Sequence, residues 1–170
     1  MPSAATQSKS GRNAVAPKQP RAPSASKAAP DGYTILGGTI SSHSINVSLY
    51  PKMPYDPIKN FQPVALIGTL PNLLVVNPQL PVKSVKELVQ YAKQQPNPLS
   101  YATPGNGTSL HLAGELFAST AGLRMVHVPY RGSGPGLNDT MAGHVPIMFD
   151  NMPSALNLVK GGKVRALAIT

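Results

Sequence analysis

Between Leu73 and Ile169 the chain alternates short apolar runs with helical stretches, and every junction is marked by a glycine, a proline or a hydroxyl cap. Leu73–Val76, Leu99–Thr103, Arg124–Val128, Val145–Phe149 and Val164–Ile169 read as strands. Ser84-Val85-Lys86-Glu87 reads as a capping box, with Val85, Leu88, Val89 and Ala92 on one face of the helix it opens. A second helix is expected from Thr108 or Ser109 to a left-handed glycine cap at Gly122, and a third from about Pro135 to Ala142, ended by Gly143. Pro153 suits the first turn of a fourth, stopped by Gly161-Gly162, while Pro146 belongs at the start or on the edge of its strand. Strand-helix alternation of this kind is the signature of an α/β fold with a parallel-rich sheet flanked by helices. Upstream, Tyr33–Leu36 and Val64–Gly68 also read as strands.

The first 28 residues obey other rules. They are mostly Ser, Ala, Pro, Lys, Arg and Gln, with prolines at 2, 17, 20 and 23, and are expected to be disordered because they cannot offset their conformational entropy by burial. Residues 1–30 carry five basic and no acidic side chains, so much of the +9 net charge sits there. Without aromatics to stack bases or a repeat, this arm is not expected to bind nucleic acid. It also lacks the apolar stretch of a secretory signal. The chain has no cysteine, hence no disulfide or thiolate metal site.

Three turns carry the chemistry. Ser100-Tyr-Ala-Thr-Pro-Gly-Asn-Gly-Thr-Ser-Leu-His111 runs strand, glycine turn, helix start, a place suited to an anion because the first helical amides lack internal partners. Gly105 and Gly107 allow close approach, and Thr108 and Ser109 add hydroxyls, although those two could merely cap their own helix. A nucleotide loop is not expected: Thr108 stands where a Walker motif needs Lys, and Leu110 where a dinucleotide fingerprint needs glycine. Pro129-Tyr130-Arg131-Gly132-Ser133 and Phe149-Asp150-Asn151-Met152-Pro153 follow two more strands, with Asp150 expected chiefly as a helix cap. Gly38-Thr39-Ile40-Ser41-Ser42 offers hydroxyls after an earlier one. In open α/β sheets such turns converge at the carboxyl ends of the strands. No catalytic constellation accompanies them: His43, His111, His127 and His144 stand singly, the carboxylates are scattered, and no nucleophile elbow occurs. No catalytic residue, metal or cofactor is therefore expected.

From about Lys27 to Thr170 the chain resembles the Bug family, the receptors of tripartite tricarboxylate transporters. The resemblance rests on Ala29-Pro-Asp-Gly-Tyr-Thr34, Leu49-Tyr-Pro-Lys-Met-Pro-Tyr-Asp-Pro57, Phe61-Gln-Pro-Val-Ala65, Tyr101 to Phe117, Val126-His-Val-Pro-Tyr-Arg-Gly-Ser133 and Met148-Phe-Asp-Asn-Met-Pro-Ser-Ala-Leu156. It implies a monomeric periplasmic binding protein whose two α/β lobes close over a small carboxylate and pass it to membrane transporter subunits. The ligand would be held by Gly107, Thr108 and Ser109, with Thr39 and Ser41 from the first lobe and Tyr130, Asp150 and Asn151 from the second. Against that pattern, residues 1–28 read as an unrelated leader, 29–69 as a remnant of the first lobe and crossover, 70–167 as a nearly complete second lobe, and 168–170 as the start of a return crossover. The missing signal peptide and first-lobe strands make the chain read as a receptor fragment, cytoplasmic if expressed as given. The alternative is a non-functional product of a truncated or frameshifted receptor gene.

Overall fold

The computed structural model describes residues 21–170. Its centre is a five-stranded sheet built from β1 (Asn72–Val76), β2 (Leu99–Thr103), β3 (Met125–Pro129), β4 (Ile147–Asn151) and β5 (Arg165–Ile169), in the order β3-β2-β4-β1-β5. β2 pairs in parallel with β3 and β4, whereas β1 lies antiparallel to both β4 and β5. The sheet is parallel-rich, as expected, with β1 as its one reversed strand; apolar runs such as Leu73–Val76 do not reveal that direction because burial on both faces erases the signal. β5 lies within the strand expected at Val164–Ile169.

Residues alternate faithfully across the sheet. Leu74, Val76, Tyr101, Ile147 and Phe149 pack on the face covered by α3 (Val85–Gln94) and α4 (Ser109–Ala121), through Leu88 and Leu110. Leu73, Val75, Ala102 and Met148 pack on the other, against Leu137 of α5 (Ser133–Ala142) and Ala155 of α6 (Met152–Lys160). Two layers of helix therefore sandwich the sheet.

The helix ends follow their local chemistry. Ser84 Oγ accepts from the Glu87 amide at 3.2 Å, and Glu87 reaches back to the Lys83 amide at 2.7 Å, one residue beyond the usual reciprocal partner. Gly122 closes α4 and Gly143 closes α5, both left-handed. Asn77 then donates to the Thr140 and Met141 carbonyls at the end of α5, pinning that helix to the sheet. Arg165 does the same for the β1–α3 connection, donating to the carbonyls of Pro78, Leu80 and Val82.

The upstream part departs from expectation. Residues 1–20 of the leader lie outside the described residues; from residue 21, α1 (Arg21–Ala25) continues into turns, with the Ser26 amide on Ala22 O and Ala22 buried. Tyr33–Leu36 and Val64–Gly68 form no strand; Tyr33 is 92% and Val64 87% exposed. Their apolar character is real, but a strand needs a ladder partner and none of the described residues pairs with either run. Between them lies an open hollow of about 760 Å³. A π-helical turn at Ser41–Ile45 runs directly into α2 (Asn46–Leu49). It is held by Tyr55, whose hydroxyl donates to Ser42 O at 2.7 Å, and by the edge-on rings of His43, Tyr55 and Phe61.

Candidate functional site

The loop from β2 to α4 turns on two glycines with positive φ, Gly105 at 154° and Gly107 at 70°. Thr108 is the N-cap: its hydroxyl accepts from the His111 amide at 3.1 Å and donates to Gly105 O at 2.9 Å. The cap engages one of the unpaired donors that every helix start presents. The Gly107 amide is also engaged, by His111 Nδ1 at 3.3 Å. The amides of Thr108, Ser109 and Leu110 keep no partner among the described residues. Thr108 and Ser109 are half-buried and so remain reachable, while Leu110 is buried. The loop is therefore both a cap and a set of open donors at the positive end of a 13-residue helix.

The three turns named from the sequence do converge. The Tyr130 amide donates to Thr103 O at 2.9 Å and the Gly132 amide to Pro104 O at 3.0 Å, tying the β3–α5 turn to the β2–α4 loop. Ser133 Oγ donates to Asp150 Oδ1 at 2.6 Å and ties that turn to the end of β4. The Tyr130 phenol donates to Asp139 at 2.6 Å. Burial and that carboxylate push it up to about 12, and the same bond holds Asp139 below its ordinary value. Asp150 is fully buried and acts as a strut; Asn151, not Asp150, is the N-cap of α6. Its Oδ1 also takes the Asn151 amide at 2.8 Å, its Oδ2 has no partner, and burial raises its pKa.

On the first-lobe side Thr39 is tied into its own turn, its amide donating to Ser42 Oγ at 3.0 Å, and Ser41 is buried. Two residues that sequence reading missed reach the loop. A side chain at Gly107 would collide with Leu49 Cδ2 at 2.6 Å and meet Asn46 Oδ1 at 3.2 Å, so α2 lies directly over Gly107. Nothing in the local pattern of a four-residue helix announces this long-range contact.

A second group was also missed. His111 and His127, read as isolated, stack with ring centroids 4.0 Å apart, and Tyr101 stacks on the far side of His127 at 5.0 Å. Tyr101 donates to Glu115 at 2.5 Å, and His111 Nε2 lies 3.7 Å from the same oxygen. Because Nδ1 of His111 accepts from Gly107, its neutral ring carries the proton on Nε2, toward Glu115. His127 Nε2 sits 2.6 Å from Thr103 Oγ1. Burial, and secondarily the neighbouring His111, lower His127 to about 4, with Glu115 opposing. His127 is thus a neutral support behind the loop. Among the described residues no group of three His, Cys, Asp or Glu could hold a metal ion.

Comparison with known proteins agrees with this architecture. A Pseudomonas protein (strain P51), a UPF0065 protein in the tcbD-tcbE intergenic region, is 41% identical over 146 residues, covering 85% of this chain and 43% of its own length. Protein BugT of Bordetella pertussis is 37% identical over 144 residues, covering 84% and 44% respectively. Among solved structures, a Rhodopseudomonas palustris protein with adipate superposes with a TM-score of 0.84 at 42% identity, covering 88% of this chain and 50% of that one. MatC from the same genus and species, with bound malate, gives 0.79 at 34% identity, covering 88% and 51%. The chain spans about half the length of these relatives. A model described as the tripartite tricarboxylate transporter family receptor matches residues 9–170, beginning well ahead of Lys27 and so correcting the reading of the leader as wholly unrelated. With nearly all of its length matched, the chain belongs to the tripartite tricarboxylate transporter receptor family.

Proposed function

We propose that this chain is the carboxylate-capturing part of a periplasmic solute receptor that delivers its ligand to a tripartite tricarboxylate transporter. The observation that carries the reading is the start of α4, where three amides without partners stand at the carboxyl end of β2 beside a glycine that no side chain could replace. Such a place favours a carboxylate: each charge-assisted bond contributes roughly 1.5–3 kcal/mol, and the helix dipole adds about 0.3–1 kcal/mol. The solved relatives carrying adipate and malate support a small dicarboxylate as the ligand class. In this reading the open amides of Thr108, Ser109 and Leu110 hold the anion beside Gly107, whose own amide is taken by His111, and Thr39 and Ser41 face it. Tyr130, Asp150 and Asn151 fix the neighbouring turns. The chain binds and releases its ligand without turnover, as the solute-binding receptors of its family and fold do.

Isothermal titration with succinate, malate, adipate and citrate tests this, using Ser109→Pro as the discriminating variant. Proline suits the first helical position and removes only its N–H. Binding weakened by about 10-fold or more in a variant that melts like the unsubstituted chain supports the reading. Unchanged affinity, or no binding of any carboxylate by the unsubstituted chain, overturns it.

A further inference from the structure

His111 of α4 and His127 of β3 stack with their ring centroids 4.0 Å apart, a separation at which two like charges repel strongly. Burial foremost, and His111 second, lower His127 to about 4, and its Nε2 is held 2.6 Å from Thr103 Oγ1. A proton entering the pair therefore goes to His111. Glu115, one turn along the same helix, places a carboxylate oxygen 3.7 Å from His111 Nε2 and supplies the counter-charge. Tyr101 of β2 donates to that same oxygen and fixes it there. The titratable groups facing the His111 ring are thus Glu115 from its own helix, His127 from β3 and, through Glu115, Tyr101 from β2.

The other ring nitrogen faces the loop. Nδ1 accepts the Gly107 amide at 3.3 Å, a bond that exists only while Nδ1 carries no proton. Protonation turns Nδ1 from acceptor into donor, so two N–H groups then oppose each other and the Gly107 amide turns away. The helix itself stays in place, because the His111 amide remains on Thr108 Oγ1 at 3.1 Å whatever the charge of the ring. Next along the chain stand the open amides of Thr108, Ser109 and Leu110. A released Gly107 amide joins that row, and the imidazolium adds a full positive charge beside it.

We propose that His111 is a positioning residue that couples carboxylate capture to proton uptake: charged, it releases the Gly107 amide to the anion, and neutral, it withdraws that amide. The inference rests on the receptor reading above. The protonated chain then binds the anion more tightly, and by reciprocity the bound anion draws a proton onto His111. Affinity rises as pH falls and declines as the ring loses its proton.

The test is isothermal titration of succinate at pH 7 in Bis-Tris, imidazole and Tris, cationic buffers that differ in ionisation enthalpy and do not compete for an anion seat. The apparent enthalpy should vary with the buffer in the sense of net proton uptake by the chain, and affinity should be about 5-fold or more higher at pH 6 than at pH 8. His111→Asn puts a carboxamide oxygen near the place of Nδ1, so Gly107 keeps an acceptor that cannot be protonated. Its affinity should stay flat across that range, at the level the unsubstituted chain shows at pH 8, with the proton uptake gone. A purely structural loss would lower affinity at every pH and leave the shape of the profile intact. Glu115→Gln, at an exposed side chain, keeps the imidazole and should move the rise in affinity to lower pH; with the buffer series it decides the matter if His111→Asn melts early. Should Ser109→Pro weaken binding while the unsubstituted chain shows no proton uptake, or while the uptake persists in His111→Asn, the coupling is wrong and the receptor reading stands. Should the unsubstituted chain bind no succinate at any of these pH values, both fall.

Discussion

The Gly107 amide donates to Nδ1 of His111 at 3.3 Å, so the helix that opens the carboxylate loop also holds the loop in place with its own side chain. The bond closes over four residues and turns one potential ligand donor inward, leaving the later amides as the open ones. It also places His111 on His127, whose Nε2 meets Thr103 at the carboxyl end of β2. Loop, helix and strand are therefore tied through one imidazole pair.

That pair sets a pH dependence. His127 is lowered to about 4 by burial, so in the folded chain it stays neutral where the unfolded chain protonates near 6.5. The unfolded state binds more protons in that interval, and stability falls as pH drops from about 6.5 toward 4, being complete above it. His127→Gln keeps a polar group within reach of Thr103 without a titrating proton. Melting curves between pH 7 and pH 4 should fall less steeply for the variant than for the unsubstituted chain.

Asp150 has the opposite sign. Its raised pKa means the fold prefers the protonated carboxyl, so its contribution is present below the ordinary carboxylate range and is lost as pH rises through the folded value. Asp150→Asn keeps an acceptor for Ser133 and Asn151 and removes the buried charge. Denaturant titration at pH 8 is expected to show the variant as stable as the unsubstituted chain or more so, with the difference shrinking by pH 4. Ser133→Ala should destabilise by about 1–3 kcal/mol, because it takes a donor from a buried carboxylate that already has one oxygen unpaired.

Gly107→Ala is expected to damage binding more than stability. The new methyl would strike Leu49 and force a left-handed residue to carry a side chain. Displacement of α2 from the loop would follow. Carboxylate affinity should drop at least 10-fold for an unfolding cost of about 1–2 kcal/mol. Gly114→Ala tests the same kind of contact away from the site, where a methyl would overlap the buried ring of Tyr101. It should cost about 1–3 kcal/mol in denaturant unfolding.

Local chemistry was legible in the sequence and long-range pairing was not. Ser84 with Glu87, Thr108 with Gly122, and Pro153 with Gly161 act within a few residues, so the helices they bound could be read directly. The glycine turn at 105–107 and its helix start were legible for the same reason. Val64–Gly68 has the composition of a buried strand, yet composition cannot supply the neighbouring strand that would make it one. β1 looks like any other apolar run, and its antiparallel direction is decided by β4 and β5 more than 70 residues away. His111 and His127 meet only because β2 and β3 lie side by side, and Asn46 reaches Gly107 across 60 residues of chain. The donors at the helix start could be named in advance; the contact of α2 with Gly107 could not.

Backbone amide shifts report on the central claim with the least interpretation. Titrating succinate into the uniformly ¹⁵N-labelled chain should move the amide resonances of Thr108, Ser109 and Leu110 downfield together, saturating on a single isotherm. If those three stay in place while resonances elsewhere move, or if none moves at millimolar succinate, the start of α4 is not a carboxylate seat.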